Sequence, residues 1–189
     1  LNKQREIIYG LRRQIVHGEK LSDMYLEKIV SQVTSIVNTY FADGISGSEK
    51  QKIIQEFNDI IPFDPDSRSE LVSKLEIVKS AEEITRFLIN VVEETYKQRE
   101  KQLRAEIMDQ VEKWVGLSVV DNFWMDHLDA IDDLREGIGL RGYGQLDPLV
   151  EYKNEAFSMF ERLVSAIDYE IVHRIFKVQV QLSPDQMQA

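Results

Sequence analysis

The segment Gly137-Ile138-Gly139-Leu140-Arg141-Gly142 fits the G-x-G-x-x-G pattern, which elsewhere lets backbone approach a dinucleotide pyrophosphate at a helix N-terminus. That chemistry needs a buried strand before the glycines and a helix directly after them. Here a helical pattern precedes them, and the next helix is predicted to begin only beyond Gly144, Gln145 and Leu146, so the segment reads as a tip between two helices. No G-x-x-x-x-G-K-[ST] sequence occurs, so these residues cannot hydrolyse a nucleotide by P-loop chemistry. His17, His127 and His173 lie in separate segments without metal-ligand spacing, and each reads as an ordinary surface or half-buried side chain. There is no cysteine, hence no disulfide, no thiolate zinc site and no cysteine nucleophile. No G-x-S-x-G elbow marks a serine nucleophile, and the paired carboxylates fall on helices rich in other charges. The residues nominate no catalytic, cofactor-binding or metal-ligating set.

Two features remain. Asp126, Asp129, Asp132, Asp133 and Glu136, opposed only by Arg135, recur at three- and four-residue spacing opposite an apolar stripe. They read as the solvated face of a helix, with a surface for a basic partner as the functional alternative. The tip is more informative: Gly137, Gly139, Gly142 and Gly144 are four of the nine glycines, and Arg141 and Tyr143 stand among them. A tyrosine on flexible backbone touches varied peptide sequence at low entropic cost. The pattern leaves a second reading open, in which Tyr143 folds back onto its own hairpin and Arg141 pairs with Asp147 or Glu136.

Positioning such a tip is the work of the flanking elements. Leu117, Val120, Trp124, Leu128, Ile131, Leu134 and Ile138 recur in steps of three and four, close to the coiled-coil period. Beyond the glycines, Asp147 can cap and Pro148 can start a second helix with the stripe Leu149, Tyr152, Ala156, Phe160, Leu163, Ile167, Ile171, Ile175 and Val178. The two stripes match in length and are predicted to meet as an antiparallel hairpin. Upstream, Ile7, Leu11 and Ile15 mark a helix over 2–17 ended by Gly18, and Ser22 or Asp23 is placed to cap a second one. Ser48 with Gln51, Ser67 with Glu70 and Ser80 with Glu83 form three capping boxes, so residues 48–79 read as a small helical insert. From Ser80 no proline occurs before Pro148, which allows a helix of about 57 residues, roughly 85 Å long at 1.5 Å per residue. An interruption is expected, with Gly116 the marked place for it. Residues 178–182 alternate like a short strand, and residues 183–189 read as a frayed tail.

Composition agrees with this organisation. The 189 residues contain only nine glycines and four prolines, too few turns for an all-β chain, and the expected class is all-α. With 33 acidic against 23 basic residues the formal charge is −10, which disfavours nucleic acid as a partner. No apolar run is long enough to span a membrane, and residues 1–10 lack the apolar core of a signal peptide. Leu1 opens a helix already under way, the expectation for a piece of a longer chain.

The stretch WMDHLDAIDDLREGIGLRGYGQLDPLVEYKNEAFSMF, Trp124 to Phe160, resembles the C-terminal part of the SecA family, bacterial motor ATPases that drive preproteins through the SecY channel. NKQREIIYGLRRQI at Asn2 to Ile15 is similar to the end of that family's scaffold helix, and KVQVQL at Lys177 to Leu182 to its closing segment. The resemblance implies helical scaffold over 1–42, a helical wing over 43–96, and further scaffold with a two-helix finger over 97–182, its tip at 137–147. Residues 183–189 would be the tail. It implies that Tyr143, with Arg141, Gly142, Gly144 and Gln145, contacts preprotein, and that Leu117, Val120, Trp124, Leu128, Ile131, Leu134, Phe160, Leu163, Ile167 and Ile171 form the hairpin seam. It also implies a cytoplasmic location peripheral to the bacterial plasma membrane and partnership with preproteins, the SecY complex and the motor's nucleotide-binding domains. Those domains, with their ATP and magnesium, have no counterpart in these residues, so no cofactor is expected here. The alternative class is a helical interaction module that binds a partner through its acidic or apolar faces.

Overall fold

In a computed structural model describing residues 1–18, 21–41, 47–141 and 147–180, with backbone alone for 139–141, every regular element is an α-helix. Among the described residues these are α1 (Asn2–His17), α2 (Leu21–Phe41), α3 (Gly47–Ile60), α4 (Pro65–Ile77), α5 (Ala81–Leu103), α6 (Ala105–Arg141) and α7 (Pro148–Ile175). The all-α class is the one expected.

Local chemistry sets most of the ends. Gly18 stops α1 in the left-handed conformation (φ 70°, ψ 8°), and its N–H returns to the Gln14 carbonyl at 3.1 Å. The Ser80 hydroxyl accepts the Glu83 N–H at 3.2 Å to cap α5. The Asp147 carboxylate accepts the Leu149 N–H at 2.9 Å ahead of α7. Other expected caps are displaced. α4 begins at Pro65 because Asp64, a stronger acceptor directly before proline, takes the N–H groups of Asp66 and Ser67 at 3.0 Å each. Ser67 therefore sits in the first turn and donates its hydroxyl to Asp64 at 2.6 Å, and these bonds hold the Asp64 carboxyl below its ordinary range. Ser48 lies inside α3, and Ser22 and Asp23 lie inside α2, so none of the three precedes its helix.

The helical run that starts at Ala81 breaks at Arg104, not at Gly116. Arg104 holds φ 68° and ψ 151° between α5 and α6, while Gly116 is buried within α6. At its other end α6 continues through Gly137 and Gly139 to Arg141, so residues 137–141 are helical and the tip is shorter than the predicted 137–147. A dinucleotide turn at Gly137 is excluded by that helix. Residues 178–180 form no strand, and the Val178 carbonyl accepts from the Arg99 guanidinium; residues 181–182 lie outside the described residues.

The chain divides into two compact units, residues Leu1–Glu19 with Lys113–Ile171, and residues Lys20–Glu112 with Val172–Ala189. These cuts differ from boundaries at 42/43 and 96/97, because α2 packs along both α3 and α5. In the second unit Tyr25, Ile29 and Val33 of α2 are buried, as are Phe57 of α3, Leu75 of α4 and Ile84, Leu88 and Val92 of α5. Lys50 of α3 donates to the carbonyls of Leu75, Glu76 and Val78 at 2.8, 3.0 and 2.6 Å, which satisfies the C-terminal end of α4. Tyr96 donates to the buried Glu112 carboxylate at 2.5 Å and Tyr25 to the Glu112 carbonyl at 2.7 Å. Burial beside that carboxylate pushes the Tyr96 phenol far up.

Candidate functional site: the hairpin and its seat on α1

The first unit is built from α1, α6 from Lys113 onward and α7 up to Ile171. The legs of the hairpin run antiparallel. Ile131 and Leu134 of α6 form one cluster with Ala156 of α7, and Ile138, Tyr152 and Met159 pack against it. Farther from the tip, His127 meets the ring of Phe160 with centroids 5.9 Å apart. Of the residues assigned to the seam, Val120, Trp124, Ile131, Leu134, Phe160, Leu163, Ile167 and Ile171 are buried, and Leu117 and Leu128 are half-buried. Leu149 departs from the α7 stripe at 58% exposure, because packing against α6 starts one turn later, at Tyr152. The acidic side chains Asp126, Asp129, Asp132, Asp133 and Glu136 are exposed on α6, and Arg135 comes within 3.8 Å of Asp132.

α1 lies antiparallel to α6. Arg12 forms a two-pronged pair with Asp121, Nε to Oδ1 at 2.9 Å and Nη2 to Oδ2 at 3.3 Å, and the hydrogen bond raises the pKa of the already basic guanidinium. Both partners are about half exposed, so the pair orients the helices more than it stabilises them. At the other end of α1, Gln4 Nε2 donates to the Ala156 carbonyl at 3.1 Å and Gln4 Oε1 lies 3.1 Å from His127 Nε2. The His127 ring stacks on Trp124 (5.5 Å, 28°) and is 5% exposed, and burial lowers its pKa from the ordinary 6.5. Sequence reasoning treated His127 as an ordinary side chain and passed over Gln4. The available signal was spacing: Trp124, His127 and Ile131 share one helical face. Ile8, Tyr9, Arg12, Val16, Trp124 and Met125 line a groove of about 790 Å³ between α1 and α6.

The residues assigned to preprotein contact fall at the tip. Gly142, Tyr143, Gly144 and Gln145 lie outside the described residues; Arg141 is the last residue of α6 and only its backbone is described. Among the described residues no group of three or more His, Cys, Asp or Glu side chains could hold a metal, and no helix is long and apolar enough to cross a membrane.

Fold and site define a class: an all-helical module whose long hairpin is seated on a further helix. Residues 1–179 match the family described as the SecA Wing and Scaffold domain. The protein translocase subunit SecA of Pelotomaculum thermopropionicum is 40% identical over 192 residues, covering 100% of this chain and 21% of that relative. Its namesake from Carboxydothermus hydrogenoformans is 39% identical over 186 residues (98% and 21%), and that from Desulforudis audaxviator 37% over 185 (95% and 20%). The chain belongs to the SecA family. It spans about a fifth of the length of these curated relatives.

Proposed function

We propose that this chain is the scaffold, wing and two-helix finger of an ATP-driven protein translocation motor, and that it does no catalysis by itself. The observation that carries the reading is the buried α6–α7 seam in a chain matched to SecA along residues 1–179, because two packed antiparallel legs are what a two-helix finger requires. On this reading residues 1–42 and 97–182 are scaffold with the finger, residues 43–96 are the wing and residues 183–189 the tail. Tyr143, flanked by Arg141, Gly142, Gly144 and Gln145, touches the moving preprotein at the mouth of the SecY channel. ATP and magnesium bind on nucleotide-binding domains elsewhere in the parent polypeptide, and the scaffold helices couple them to the finger. The motor works from the cytoplasm, peripheral to the plasma membrane.

A photo-crosslinker at Tyr143 of the full-length motor, with a preprotein stalled in the channel, tests this. An adduct from position 143 and none from Asp129 is expected; adducts from both or neither position overturn it. The exposed apolar side chains Tyr9, Val16 and Met125 along the α1–α6 groove favour a second reading, a docking module for another protein. In that case Tyr143→Ala leaves translocation intact.

A further inference from the structure

One glutamine on α1 reaches both legs of the hairpin. The Ala156 carbonyl can only accept, so the amide NH2 of Gln4 must face it, and the amide oxygen then faces His127 Nε2. His127 must therefore carry its proton on Nε2 and donate it. Trp124 stacks on the ring and Phe160 lies against it at 60°, so a ring 5% exposed has no freedom to turn towards another acceptor. The other directional contact of α1, the Arg12–Asp121 pair, is about half exposed and sits on a long side chain that can follow a shift of one residue. Ile8 and Ile15, seven residues apart, present the same side chain on the same face, and apolar packing has no direction. If α1 slid by one residue along its axis, Gln4 would lose both partners and leave a buried imidazole N–H unsatisfied.

We infer that Gln4 and His127 are a positioning pair that fixes the register of α1 on the hairpin and carries any displacement of α1 to α6 and α7 together. The inference goes beyond the translocation reading and does not depend on it, since its geometry lies wholly within one compact unit.

The test is NMR on this chain. Nitrogen shifts of His127 should report the Nε2–H tautomer. In Gln4→Glu a carboxylate replaces the amide oxygen, and the protonation constant of His127 should rise at least tenfold and past that of an exposed histidine, which loss of packing alone does not reach. In Gln4→Met, amide exchange across α1 should accelerate at least tenfold while the hairpin legs stay protected. His127→Leu should repeat that acceleration, and His127→Gln, whose amide N–H sits near the Nε2 position, should restore protection. An Nδ1–H tautomer, a change below twofold in the His127 constant, or unaltered exchange in α1 would each overturn the inference. The tautomer is read on the unsubstituted chain, so a variant that fails to fold leaves the claim open to disproof.

Discussion

The two ends of α6 break opposite rules. At its start the helix is interrupted at Arg104, an L-residue held at φ 68° and ψ 151°, where glycine is almost the only residue found. At its far end it runs through Gly137 and Gly139, where intrinsic propensity argues for stopping. Burial accounts for both. On one straight helix of 3.6 residues per turn, Met108 would lie about opposite the centre of the buried Ile84–Tyr96 stripe of α5 and Val111 about a third of a turn from it, so a break between Tyr96 and Met108 lets both sets be buried. Near the tip, Leu134 and Ile138 keep contact with Ala156 and Tyr152, and that contact carries the helix across the glycines between and after them.

If packing overrides propensity at the far end, removing the packing should restore the glycines' effect. Trp124→Asp places a charge on the buried face of α6 and is expected to cost about 3–5 kcal/mol in urea unfolding, with loss of helicity beyond Ile131. Asp129→Asn on the exposed face should stay within about 0.5 kcal/mol. Equal effects from the pair would mean that the buried and solvated faces of α6 are assigned the wrong way round.

The near end gives the next largest effect. Arg104→Gly should raise stability by about 1–3 kcal/mol by relieving the backbone, whereas Arg104→Ala, still an L-residue, should change little. If alanine and glycine behave alike, Arg104 is not strained. At the far end a Cβ on Gly137 would meet nothing within 4 Å, so Gly137→Ala should add about 1 kcal/mol of helix propensity with no clash. Thermal melting of the two variants side by side tests whether the start of α6 carries strain and its end only a propensity debt.

Where periodicity and local chemistry acted alone, the sequence was readable. The α1 stop at Gly18, the caps at Ser80 and Asp147 and most of the hairpin stripe depend on residues close together in the chain. The break at Arg104 was not readable, because no glycine or proline marks it and its cause is the mismatch between two buried faces many residues apart. The Ser67 box looked like a cap in isolation, yet Asp64 before Pro65 competes better for the same N–H groups. Of the site, the seam was legible as a stripe. The Gln4–His127–Ala156 relay joins residues 123 and 152 positions apart, a pairing only the tertiary fold reveals.

That relay yields the smallest effect, and its sign separates a buried imidazole from a surface one. Burial lowers the pKa of His127 in the folded chain below the 6.5 of the unfolded chain. As pH falls through 6.5 the unfolded chain takes up the proton while the folded one does not, so the unfolded state binds more protons and stability declines. The contribution is complete above 6.5 and is lost progressively down to the lowered value. His127→Gln keeps a donor towards Gln4 but cannot titrate, and it should flatten the dependence of the urea midpoint on pH in that window. A slope that survives His127→Gln would place the proton uptake elsewhere in the fold.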